Sequence, residues 1–170
     1  MKTYILVILS MLMLQSVSAQ ESTADDTIST YYLIRHAEKD RSDKSNKNPN
    51  LTEAGKQRSE NWSKVFKNVS FDMIYSTDYN RTKQTAQPTA DAKGLDISLY
   101  NPQTMDLEAF MKITKGKTVL VVGHSNTTPM FANGLLNEST YEMIADDNNA
   151  NLYIVTVTEN SKSSSLLVMD

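Results

Sequence analysis

Two histidines occur in the 170 residues, and both follow short apolar runs. His36 comes directly after Arg35 at the end of Tyr31-Tyr32-Leu33-Ile34, and His124 comes after Gly123 at the end of Thr118-Val119-Leu120-Val121-Val122. Arg81 lies a few residues beyond a third run, Phe71 to Tyr75. Two imidazoles and two guanidiniums brought to one point suit a phosphoryl group in transfer, which spreads negative charge over its equatorial oxygens and is catalysed mainly by positioning and electrostatics. Arginine's planar fork matches that oxyanion and stays charged. A neutral histidine can attack phosphorus and form a covalent intermediate, dividing one difficult displacement into two easier ones. The second histidine would steady the phosphoryl oxygens as donor or cation. Taken singly, each histidine reads equally well as a structural hydrogen-bonding residue, so convergence decides between the two.

Convergence requires the runs to be strands of one sheet. Tyr31 to Ile34 does not alternate, as expected of a strand covered on both faces, and Thr118 to Val122 is the clearest buried strand. Further strands are predicted at Asp96–Tyr100, Leu152–Val157 and Leu166–Met169, the last two separated by a Ser-rich turn. Between them, Thr52 can cap a helix with Trp62, Val65 and Phe66 on one face, ending near Asn68. Thr82, Thr85, Ala86, Thr89 and Ala90 recur at helical spacing, with Pro88 predicted to kink that helix and Gly94 to end it. Shorter helices are expected at Leu107–Ile113 and Pro129–Leu136. Strands alternating with helices imply right-handed crossovers, hence an α/β fold: a three-layer sandwich whose largely parallel central sheet is flanked by helices. Ligands of such sheets gather beyond the carboxyl ends of the strands. Arg35, His36, Arg81 and His124 all follow strands.

Composition narrows the setting. Lys2 precedes an apolar run from Tyr4 to Leu14 and a small-residue stretch ending at Val17-Ser18-Ala19, the pattern of a signal peptide cleaved after Ala19. The run is too short for a membrane helix, so no stable anchor is expected after cleavage. The expected organisation is a signal peptide at 1–19, a flexible polar lead-in at 20–29 and one domain at 30–170, in an exported protein, periplasmic or extracellular. Without Lys2 there are 16 basic against 20 acidic residues, a formal charge of 16 − 20 = −4. That balance is unlike that of nucleic-acid binders, which are usually basic. Cysteine is absent, which removes disulfides and thiolate chemistry.

The motifs resemble a known family. Tyr32-Leu33-Ile34-Arg35-His36-Ala37-Glu38 looks like the Arg-His-Gly-Glu motif of the histidine phosphatase superfamily, which includes the cofactor-dependent phosphoglycerate mutases. Asn50 to Gln57 resembles the family's Leu-Thr-x-x-Gly segment, Ser76 to Ala86 its second arginine motif, and Val122-Gly123-His124-Ser125 its second histidine motif. Four ordered motifs are far more specific than one. The resemblance implies a phosphoglycerate mutase-like fold, His36 as nucleophile, Arg35, Arg81 and His124 as the phosphate pocket, and no metal or organic cofactor. Ala37 departs from the pattern, standing where glycine is usual. In many members a carboxylic acid after the third strand protonates the leaving alcohol; Glu108 is the first choice here, with Asp106 and Glu38 as alternatives. A solvated carboxylate on a helix's first turn is the ordinary reading of Glu108.

Other chemistries fit less well. Gly123-His124-Ser125 resembles the start of a nucleophile elbow, but Thr127 replaces the final glycine and no histidine follows the serine. Zinc bound by two histidines and an aspartate would sit against Arg35. A phosphate-ester binding domain with little turnover and a mutase-like phosphotransferase remain the alternatives to a phosphatase acting on phosphomonoesters. The span between Arg81 and His124 leaves little room for an inserted lid, which favours hydrolysis over mutase chemistry. The expected partner is a small phosphorylated substrate or a phosphorylated envelope component, with Arg41, Lys44 and Lys47 in the bordering loop either attracting it or simply solvated.

Overall fold

The computed structural model describes residues 27–169. The predicted signal peptide and most of the lead-in lie outside them; Ser29, the last residue assigned to the lead-in, instead opens the first strand. The order is β1 (Ser29–Arg35), α1 (Glu53–Val65), β2 (Met73–Thr77), α2 (Asn80–Lys93), β3 (Ile97–Tyr100), α3 (Leu107–Ile113), β4 (Thr118–Gly123), α4 (Thr127–Leu136), β5 (Asn151–Val157) and β6 (Lys162–Val168). The six strands form one sheet in the order β3-β2-β4-β1-β5-β6. β1, β2, β3 and β4 run parallel, whereas β5 and β6 are antiparallel to their neighbours, so the sheet is mixed and mostly parallel.

The absence of alternation in β1 and β4 has the expected cause. Successive side chains leave a strand on opposite faces, and both faces here are covered. Val119 and Val121 join Tyr31, Leu33, Phe110, Phe131 and Leu135 on one side. Leu120 and Val122 join Ile34, Trp62, Phe66 and Ile74 on the other. Three layers result, with α1 and α2 on one face and α3 and α4 on the opposite one.

Several elements differ from expectation for local reasons. α1 is capped by Thr52, whose hydroxyl accepts from Gly55 N at 3.1 Å, but Val65 is exposed and Phe66, the C-cap, carries the apolar contact. α2 continues through Pro88 as one helix and ends at Gly94. β6 includes the serines read as a turn: Ser163, Ser164 and Ser165 pair with β5 at an exposed sheet edge, where polar side chains stay solvated. The turn itself is Thr158–Ser161, held by the Thr158 hydroxyl accepting from Asn160 N and Ser161 N.

Candidate active site

β1 and β4 are parallel neighbours in which Arg35 pairs with Gly123, so the residues that follow, His36 and His124, emerge at the same level of the sheet. The His36 amide donates to the Gly123 carbonyl at 3.0 Å, and the imidazole centroids lie 5.5 Å apart. β2 flanks β4 on its other side and leads into α2, whose first turn carries Arg81. The structure thus brings together the four residues singled out by their position after strands.

His36 is buried, and its Nδ1 lies 2.7 Å from the Ala37 carbonyl oxygen. A carbonyl only accepts, so Nδ1 carries the proton and Nε2 keeps its lone pair. Burial, followed by the charges of Arg35 and Arg81, lowers the His36 pKa to about 3, against an opposing contribution from the Ala37 hydrogen bond. The ring is therefore neutral at ordinary pH, with a lone pair on Nε2. Its backbone is clamped from three directions: Ala37 N donates to Thr85 Oγ1 at 2.9 Å, Asn149 Nδ2 donates to the His36 carbonyl at 2.7 Å, and Thr52 N donates to the Glu38 carbonyl at 2.8 Å. Gly55 completes the clamp, since a Cβ there would run into the Glu38 backbone. Ala37 needs no glycine: Asn137 is the only described non-glycine residue with a left-handed φ, so the methyl group imposes no backbone strain.

His124 Nε2 lies 2.9 Å from Thr77 Oγ1. The Thr77 hydroxyl donates to Thr82 Oγ1, and Thr82 donates to the carbonyls of Thr77 and Tyr79. The chain runs consistently only if Nε2–H donates to Thr77. Burial first, then the charges of Arg81, Lys39 and Arg35, lower the His124 pKa to about 4. An arriving oxyanion would reverse that pressure and favour the imidazolium.

The two arginines are held in opposite ways. Arg35 is almost wholly buried; Nη1 donates to the carbonyls of Ala145, Asp146 and Asn148, and Nη2 pairs with Asp146 Oδ1 at 3.0 Å. Its Nε is buried without a partner. Arg81 has neither Nε nor Nη1 bonded, although both are buried; its guanidinium stacks over Tyr79 at 4.4 Å. Buried donors without acceptors are costly, and a phosphoryl oxygen is the acceptor these atoms fit.

A cleft of about 340 Å³ opens from Arg81 and His124 and runs over the ends of β2 and β3, walled by Thr77, Tyr79, Tyr100 and Gln103. None of the expected proton donors lines it. Glu108 is exposed on the first turn of α3. Asp106 is spent as the cap of that helix, accepting from Ala109 N at 3.0 Å. Glu38 turns to α1, where it pairs with Arg58 at 2.8 Å. Among the described residues the one carboxylate on the cleft wall is Asp78, which is exposed and ion-paired with Lys83. No cluster of three His, Cys, Asp or Glu suited to a metal ion occurs among the described residues.

Residues 31–101 match the family model of the histidine phosphatase superfamily (branch 1). The chain is histidine phosphatase-like in fold, and in sequence over that segment. The matched segment contains Arg35, His36 and Arg81; His124 lies beyond it and joins them through β4. The protein histidine phosphatase SixA, solved with tungstate, is 17% identical with a TM-score of 0.67, over 82% of this chain and 96% of that one. A mycobacterial glucosyl-3-phosphoglycerate phosphatase is 13% identical with a TM-score of 0.65, over 84% and 98%. The phosphoglycerate mutase of Bacillus anthracis is 15% identical with a TM-score of 0.65, over 84% and 94%. At these identities the likeness establishes the histidine phosphatase fold. No curated sequence relative matches the chain.

Sequence reasoning missed Thr77, Thr85, Asp146 and Asn149, which hold the four site residues in place. Thr85 had a visible signal, a buried polar residue on the apolar stripe of α2. Asp146 and Asn149 had none, because the segment between α4 and β5 meets Arg35 and His36 only in the folded chain.

Proposed function

We propose that this protein is an exported phosphatase that hydrolyses phosphomonoesters through a phospho-histidine intermediate on His36. One observation carries the reading: the protonated Nδ1 of His36 is fixed on Ala37, which leaves Nε2 as a neutral nucleophile within the field of Arg81, whose Nε and Nη1 have no hydrogen-bond partner. In the first step Nε2 bonds to phosphorus and the ester P–O bond breaks, with Arg81, His124 and the free Nε of Arg35 taking the developing charge. In the second step water attacks phosphorus, the N–P bond breaks and phosphate leaves. The family match and the neighbours named for phosphatase activity support this reaction. Export rests on residues 1–19 alone, and the substrate class on the oxyanion chemistry of the site: a small phosphorylated compound or a phosphorylated envelope component.

The test is turnover of an aryl phosphate in the presence of chelator, comparing wild type with His36→Ala and trapping the phosphoryl group on His36 by rapid quench. Metal-independent turnover lost in the variant is expected. Cell fractionation, with residues 1–19 absent from the exported form, tests the compartment. The lack of Glu108, Asp106 and Glu38 from the cleft favours a second reading, a phosphoester-binding domain with little turnover. That reading takes over if the wild type binds phosphate but cleaves no ester.

A further inference from the structure

The strand order fixes where a leaving group would go. His36 follows β1, whereas the cleft lies over the ends of β4, β2 and β3. In an in-line displacement the departing oxygen lies opposite the attacking Nε2, hence towards β3. The last residue of β3 is Tyr100, which pairs with Thr77 and lines the cleft.

The Tyr100 side chain crosses over β2 to reach β4. Its hydroxyl is 3.1 Å from the point where a Cβ on Gly123 would stand, in company with Thr127 Oγ1 and Thr128 Oγ1, so glycine is what admits it there. The ring is braced edge-on by Phe131 at 5.8 Å. Thr127 Oγ1 accepts from His124 N, and Thr128 Oγ1 donates to the Ile34 carbonyl. The Tyr100 hydroxyl is buried with no partner. It shares that state with Nε and Nη1 of Arg81, a residue that lines the same cleft. Burial raises the phenol's pKa, which keeps its proton in place.

We propose that the Tyr100 hydroxyl is a substrate contact on the leaving-group side, donating a hydrogen bond to the ester oxygen as it departs from phosphorus. The inference rests on the phosphatase reading above. As the Nε2–P bond forms and the P–O bond breaks, the oxygen keeps the electron pair and its charge is met by the Tyr100 O–H. Tyr100 retains its proton, and the alcohol is completed by a proton from water in the open cleft. The contact matters more for a basic leaving group than for one that carries its charge easily.

The experiment compares wild type, Tyr100→Phe and His36→Ala on phenyl phosphate and 4-nitrophenyl phosphate, with thermal unfolding of each protein. Tyr100→Phe is expected to lower the phenyl to 4-nitrophenyl ratio of kcat/KM by roughly tenfold. Its unfolding midpoint is expected to equal or exceed that of wild type, because a buried hydroxyl without a partner is removed. An unmoved ratio, or a wild type that cleaves only 4-nitrophenyl phosphate, overturns the contact. A lowered midpoint also overturns it, by showing that the hydroxyl is bonded within the fold. If His36→Ala is inactive while the ratio stays put, the Tyr100 inference alone fails. If wild type cleaves neither ester, the phosphatase reading fails and takes the contact with it.

Discussion

Asp146 Oδ1 sits 3.0 Å from Nη2 of Arg35, while the other terminal nitrogen of the same arginine is shared among three carbonyls. Arg35 is thus built into the fold, and Arg81 is not. Arg35→Ala is expected to leave those carbonyls unpaired and to destabilise the protein by about 3 kcal/mol, besides reducing turnover. Arg81→Ala is expected to change stability by no more than ~1 kcal/mol yet to cut kcat roughly a thousandfold. Urea unfolding alongside aryl phosphate turnover separates the two; equal stability losses would contradict the assignment.

The histidines predict an acid response. In the unfolded chain they take up protons near 6.5, whereas in the folded protein His124 and His36 wait until about 4 and about 3. Between those values the unfolded state binds more protons, so stability falls as pH drops below 6.5. With two histidines in the chain, ring signals can be followed by NMR. Both are expected to stay neutral at pH 6, and added tungstate is expected to raise the His124 midpoint. An unliganded midpoint near 6.5 for either ring would refute this.

Thr85 is the residue to change if the clamp on the nucleophile is to be loosened. Its hydroxyl accepts from Ala37 N and donates to the Arg81 carbonyl at 2.7 Å, so it joins the two halves of the pocket. Thr85→Val keeps the shape and leaves a buried amide unpaired, at a cost of about 1–3 kcal/mol. Turnover is expected to fall further than binding of tungstate, because the position of His36 matters most in the bond-making step. A Tm that does not move would show that the amide finds another partner.

The carboxylates outside the cleft give the complementary result. Glu108→Gln is expected to retain turnover within about twofold, since a solvated surface substitution of this kind is nearly neutral. Asp106→Ala is expected to cost about 1 kcal/mol through loss of the α3 cap, again with turnover kept. A large kcat loss in Glu108→Gln would restore it as proton donor.

The sequence was most informative where strand ends and chemistry coincide. Arg35, His36 and His124 stand directly after unmistakable buried runs, and parallel pairing does the rest. The boundaries of β6 were not legible, because serines at a solvated edge carry no hydrophobic signal. Asp146, Asn149 and Tyr100 were hidden for a different reason. Their relation to the pocket depends on which strands are neighbours, and the order β3-β2-β4-β1-β5-β6 leaves no periodicity in the chain. The position of Glu108 outside the cleft has the same origin: following β3 in sequence is not the same as facing the cleft.

The pairing of Arg35 with Gly123 makes the sheet a ruler for the two imidazoles. Their separation is set by strand spacing, which hardly varies among proteins, and not by the length of any loop. The segments 40–50 and 101–106 can therefore be shortened, lengthened or exchanged for others while the two rings keep their distance. The spacing of the two rings and the part of the cleft wall formed by Asn101, Pro102 and Gln103 thus lie on separable stretches of the chain.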